Sequence, residues 1–218
     1  PDTRHEERPP DAESRAPIGA LLGSRSFLLL LAVAALIQGS HAVYYNLSTI
    51  HWRAHGITAS TAGLLWAEAV LAEIVMFFVA RGSVEKLRPT TMLMLGGALA
   101  AVRWLVLGAT VSVPLLALAN WLHAFSFGCT YLGALRALEN RVPGWQRSTA
   151  QGLLGAASSG IGLVMAAVLG GYVYERFAGR AFFVMAALAL FGVALALILR
   201  RSGSHASPTQ STASASPA

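Results

Sequence analysis

Acid is scarce in the body of this chain. It holds ten Asp and Glu residues, and five of them (Asp2, Glu6, Glu7, Asp11 and Glu13) fall in the first thirteen positions. Charged residues make up only 12% of the sequence and hydrophobic ones 55%. A soluble domain carries about twice that charged share, so a soluble globular chain is excluded. Cysteine is nearly missing too. Cys129 stands alone inside an apolar run, which rules out an internal disulfide framework, and no metal-ligand motif is present. A lone buried Cys is expected to be a small packing residue. No secretory signal peptide is visible. The net charge of +6 is no nucleic-acid signal, because the basic residues sit in short clusters between apolar runs, where they meet lipid headgroups.

What is abundant is apolar length. Six stretches, near 27–46, 62–80, 91–109, 113–135, 149–172 and 178–199, are each long enough to cross a hydrocarbon core. Their apolar residues do not keep to one helical face, and runs such as Phe27–Ile37 lack the period-two alternation of a membrane β-barrel. The expected fold is an all-α integral membrane bundle of six transmembrane helices. Glycines recur within the spans, most densely from Gly152 to Gly171, and small residues let membrane helices approach closely.

Basic residues set the orientation. With six spans, one side receives Arg4, Arg8, Arg15, Arg25, Arg81, Lys86, Arg88, Arg136, Arg141, Arg147, Arg200 and Arg201. The other receives only Arg53, Arg176 and Arg180. The positive-inside rule then predicts a multi-pass protein of the cytoplasmic (inner) membrane with both termini cytoplasmic. Residues 1–26, polar and proline-rich from Pro1 onward, read as a linker joining this bundle to another part of a longer chain. Residues 200–218 read as a disordered tail.

Ionisable groups inside spans are costly and usually functional. Five stand out: His41, Glu68, Glu73, Arg103 and His123. At about 1.5 Å per residue, Glu68 and Arg103 both lie about 9 Å from the outer end, and Glu73 and His123 about 15 Å from it. Two depth-matched pairs result, Glu68 with Arg103 and Glu73 with His123. Five residues separate the glutamates, so they point in different directions, whereas Trp66 and Glu73 share a face. A carboxylate, a guanidinium and an imidazole in one low-dielectric cavity have the makings of a proton relay, and a cation approaching or leaving the acid would switch it between holding and releasing a proton. The competing expectation is a fixed ion pair that only ties helices together.

The chain also echoes itself. Span one carries His41-Ala42 with Tyr45 four residues after the His, and span four carries His123-Ala124 with Phe127 in the same relation. Each span opens a set of three. Triplets with an odd number of spans enter the membrane from opposite sides, the inverted-repeat pattern of many transporters.

The stretches Ser40-His41-Ala42-Val43-Tyr44-Tyr45, Ile50-His51-Trp52-Arg53-Ala54, Gly63-Leu64-Leu65-Trp66-Ala67, Ala72-Glu73-Ile74, Arg103-Trp104 and Leu122-His123-Ala124-Phe125-Ser126-Phe127-Gly128 resemble the 3-phenylpropionate-type branch of the major facilitator superfamily. The likeness runs through most of residues 27–199. It implies half of a twelve-helix fold, two inverted three-helix repeats, with a partnering N-terminal six-helix half. It also implies proton symport of a small organic solute by alternating access. Glu73, Arg103 and His123 would couple protons, and His41, Tyr44, Tyr45, Trp66 and Phe127 would contact solute, with an aromatic acid such as 3-phenylpropionate fitting the aromatic lining. In the related lactose permease-like symporters an acid follows the corresponding His by three residues; here that position is Ser126. The segment from Arg81 to Arg88 falls where the superfamily has a basic gating loop, but lacks that loop's Asp.

No cofactor, metal or nucleic acid is expected; the partners are solute, protons and the lipid bilayer. Two alternatives stand beside this reading. One is a non-transporting membrane scaffold or inactive fragment. The other is a rhomboid-like protease built on Ala157-Ser158-Ser159-Gly160, but the only His beyond that serine is His205 in the tail, and no base would reach it.

Overall fold

The computed structural model describes residues 18–80 and 86–203, and among them it contains helices and no strand. We number the α-helices in chain order: α1 Ile18–Leu22, α2 Arg25–Gly39, α3 Ala42–Ala54, α4 Ala59–Ala80, α5 Pro89–Ala109, α6 Val113–Glu139, α7 Arg147–Gly155, α8 Leu163–Phe177 and α9 Ala181–Gly203. The segment Ala156–Gly162 between α7 and α8 is a π-helix.

These elements make six membrane crossings. Span one is the apolar run Arg25–Ala54, which holds α2 and α3 and bends at Ser40 and His41. Spans two, three and four are α4, α5 and α6. The run Gly144–Ser202 is apolar over 59 residues. Straight, it would be roughly 90 Å long, three times a hydrocarbon core. The chain instead turns back at Ala178–Arg180, where Ala178 has φ 48°, so α7, the π segment and α8 form span five and α9 forms span six. The six expected spans are therefore present. Two of their neighbours differ from expectation in detail. A one-turn helix, α1, lies within the segment read as linker, and α9 runs on to Gly203, past the expected start of the tail. Residues 1–17, 81–85 and 204–218, which include most of the gating-loop stretch and His205, lie outside the described residues.

Local sequence explains where the helices start and stop. Ser24 caps α2 by accepting from the Phe27 amide, and Thr58 does the same for the Thr61 amide at the start of α4. Proline sits in the first turn of α5 and of α6, where its missing N–H costs nothing. Gly56, at φ 84°, makes the sharp exit from α3.

The packing pattern reveals the repeat. The principal helix pairs are span three with span four, three with six, one with six, two with four, and one with five. Exchanging spans one and four, two and five, and three and six maps this set onto itself. That exchange is the symmetry of two inverted three-helix repeats. Glycine permits the tightest crossings. A Cβ on Gly39 would meet the backbone oxygen of Gly162 at 2.7 Å, so spans one and five touch backbone to backbone.

Candidate functional site

The two histidine motifs meet in the interior of the bundle. His41 and His123 have ring centroids 5.6 Å apart. His41 also packs on Phe127 at 6.5 Å, and His123 on Tyr45 at 6.2 Å, so each histidine touches the other motif's aromatic residue. The repeated His-Ala-x-x-aromatic pattern is thus a reciprocal four-ring contact between spans one and four.

A hydrogen-bonded chain runs beside it. Arg103 is fully buried on span three, its guanidinium 3.9 Å over the Tyr44 ring and 4.6 Å from the Trp104 ring. One terminal nitrogen donates to His123 Nδ1 at 2.8 Å, and the other donates to Asn120 Oδ1 at 3.3 Å. Arginine has no acceptor, so His123 Nδ1 must be the lone-pair nitrogen. The imidazole proton therefore sits on Nε2, which lies 2.7 Å from Glu73 Oε1 and donates to it. The direction is fixed from end to end: Arg103 to His123 to Glu73. Only the last member is open, with about a quarter of the Glu73 side chain exposed against 4% for His123.

Further hydrogen bonds hold this chain in place. Asn120 accepts from Tyr44 Oη at 3.4 Å and donates to the Leu65 carbonyl at 2.9 Å, tying spans one, two, three and four together. Trp104 Nε1 donates to Ser40 Oγ at 3.0 Å, and Ser40 donates to the Ile37 carbonyl at the bend of span one. His41 engages the same carbonyl through Nδ1 at 3.1 Å, while its Nε2 is buried without a partner.

Against this geometry, a family profile described as the MFS_1 like family matches residues 3–185. The chain belongs to this family. It is 33% identical over 160 residues to a probable 3-phenylpropionic acid transporter of Escherichia coli (strain K12), covering 73% of this chain and 42% of that protein. It is 27% identical over 196 residues to a maltose permease of Geobacillus stearothermophilus, covering 88% and 49%. With the uncharacterized transporter YwbF of Bacillus subtilis (strain 168) the identity is 21% over 188 residues, covering 85% and 47%. The chain thus spans about half the length of the curated relatives it matches. Membership in the MFS_1 like family makes it a multi-pass membrane protein of a transporter family and sets aside the protease alternative.

In this MFS_1 like bundle the residues singled out in the sequence fall into three groups. Glu73, Arg103 and His123 come together as the chain just described. Tyr45, Trp66 and Phe127 surround it with at least partly open faces; the Trp66 indole donates to Thr49 Oγ1 at 2.9 Å. His41 and Tyr44 are wholly enclosed in this conformation and reach no open space. The depth match of Glu68 with Arg103 does not become a contact. Arg103 spends its terminal nitrogens on His123 and Asn120, and Glu68 lines a shallow apolar recess with Leu64, Leu71 and Val113 instead. Depth along two helices left their facing undetermined, and the faces differ. Asn120 escaped the sequence reading. An amide three residues before His123 in an apolar span shares its face, and that was the available signal.

Proposed function

We propose that this chain is the C-terminal half of a proton-coupled symporter for a small aromatic carboxylate, working by alternating access in the cytoplasmic membrane. Both termini lie on the cytoplasmic side, and the solute cavity closes against an N-terminal six-helix half of the same protein. The observation that carries the reading is the directed chain Arg103–His123–Glu73, buried at one end and open at the other. Glu73 takes up and releases the proton. His123 holds Glu73 in place and conveys the influence of Arg103, and Arg103 is the fixed positive charge behind both.

The arrangement couples proton to anion by charge alone. With Glu73 ionised, the cluster of Arg103 and Glu73 is neutral. With Glu73 protonated, Arg103 is left uncompensated and the cluster gains one positive charge. A carboxylate about 8 Å away would then be favoured by roughly 2 kcal/mol at an effective dielectric constant of 20, or about thirtyfold in affinity. Proton first and anion second is the preferred order, and a monocarboxylate would cross with its charge balanced. Arg103 is too enclosed to bind the anion directly, so solute contact falls to Tyr45, Trp66 and Phe127. Their rings suit an aryl group. The similarity to a probable 3-phenylpropionic acid transporter points to the same solute class.

In full-length protein reconstituted in vesicles, a proton gradient should drive 3-phenylpropionate accumulation. Glu73→Gln should abolish that accumulation while solute exchange without a gradient persists. Unchanged accumulation in Glu73→Gln would remove Glu73 from the coupling role.

A further inference from the structure

A half-open cavity lies outside the charge cluster. It occupies about 310 Å³ between spans one, four and five, on the side toward the basic ends of the helices. Phe127 separates it from the Arg103–His123–Glu73 chain, packing on His123 with centroids 5.8 Å apart on one side and on Tyr131 at 6.2 Å on the other. The Phe127 and Tyr131 rings are parallel within 1° and stacked, an aromatic wall of two rings. Opposite it stand oxygen and nitrogen groups without charge: Gln38 of α2, Gln151 of α7, and Ser158 and Ser159 of the π segment.

Two features mark this as a binding chamber. Gln38 Oε1 is buried and has no hydrogen-bond partner, which costs free energy unless a donor arrives from elsewhere. Span five departs from α-helical geometry at this wall, over Ala156–Gly162, and both Ser158 and Ser159 line the space as a result. Wide π turns within α-helices concentrate at functional sites. The hydroxyl of Ser158 already donates to the Leu154 carbonyl at 2.7 Å, as Thr130 does to the Ser126 carbonyl at 2.6 Å. Each therefore offers the cavity lone pairs only. The chamber has acceptors to spare, an aromatic wall and no carboxylate, imidazole, lysine or arginine in its lining.

We propose that this chamber is a specificity subsite for a phenolic hydroxyl. The aryl ring of the solute lies along Phe127 and Tyr131, and its hydroxyl donates to Gln38 Oε1. The carboxylate end points past the edge of Phe127 toward Glu73, the open member of the charge cluster. The inference rests on the proposed transport of aromatic acids and extends it to one class, hydroxylated arylalkanoates.

The test compares uptake of 3-(4-hydroxyphenyl)propionate and 3-phenylpropionate by the full-length protein, each as the ratio of transport efficiencies. The wild type should prefer the hydroxylated solute. Gln38→Leu, which keeps size but removes the acceptor, should lower the ratio about tenfold or more, because a site built around a hydroxyl loses its discrimination when its partner is gone. Gln38→Asn should restore part of it. If Gln38→Leu fails to reach the membrane, Ser159→Val at the open edge of the chamber supplies the same reading with a smaller fall. A ratio that stays at the wild-type value in a transporting variant overturns the subsite. If neither solute is taken up by the wild type, the aromatic-acid reading of the whole cavity fails and the subsite fails with it, a result distinct from the first.

Discussion

At the scale of single residues, the site depends on a side chain that carries no charge. Asn120 is fully buried, and its amide meets Arg103, Tyr44 and the Leu65 carbonyl. Replacing it with leucine of similar size keeps the packing but takes the partner from a buried Arg103 nitrogen and from the Tyr44 hydroxyl, while the Leu65 carbonyl keeps its bond within α4. Each buried group left unsatisfied costs about 1–3 kcal/mol, although membrane reference states soften such losses. Asn120→Leu should lower stability by about 2 kcal/mol or more. In thermal melts of the detergent-purified protein that is a drop of several degrees. A melting temperature within one degree of wild type would mean that Asn120 does not hold the guanidinium. The sequence marked Arg103, His123 and Glu73 readily, because ionisable groups stand out against an apolar background. It could not order them. The Arg103-to-Glu73 direction comes from which ring nitrogen of His123 faces which partner, a matter of helix rotation that spacing along one chain does not specify. Glu68 makes the same point from the other side: it matches Arg103 in depth and does not pair with it.

At the scale of helices, what matters is where backbones touch. Gly39 and Gly128 both occupy places where a Cβ would meet a neighbour closer than atoms normally approach, yet the neighbours differ. Beside Gly39 is the Gly162 backbone, carbonyl carbon and oxygen, which cannot yield without moving span five. Beside Gly128 is the methyl end of Met76, which can swing to another rotamer. Gly39→Ala should therefore separate spans one and five, lowering both thermal stability and transport, whereas Gly128→Ala should fold and melt close to wild type. Equal damage from the two would show that the crossing at Gly39 is not the tight one. The sequence displayed the glycines of span five as a packing motif, and the structure agrees for Gly162 and Gly170, which sit against Ala35 and Val43 of span one. It leaves Gly152, Gly155, Gly160 and Gly171 with open space where a Cβ would stand. Glycine counts alone do not separate these two groups, since only the three-dimensional crossing point does. The bend of span one at Ser40 and the π segment of span five were likewise hidden, because both are made of residues that an ordinary helix accepts.

At the scale of the whole molecule, the number of crossings was legible because it follows from apolar length, which needs no knowledge of packing. The fold keeps Arg25, Arg88, Arg136, Arg141, Arg147, Arg200 and Arg201 at one end of the bundle, while Arg53, Arg176 and Arg180 lie at the other. Positive charge is held on the cytoplasmic side during insertion, so the turn at Ala178–Arg180 should face outward and the end of α9 inward. Cysteine labelling checks this directly. Cys129 is fully buried and is first replaced by serine to remove any background. Phe177, more than half exposed beside the turn, and Ser202, exposed in the last turn of α9, then receive single cysteines. On intact cells a membrane-impermeant maleimide should modify Phe177→Cys and leave Ser202→Cys untouched until the membrane is opened. The reverse pattern would invert the bundle. It would place the chamber beside Gln38, which lies toward the basic ends, nearer the outside than the charge cluster.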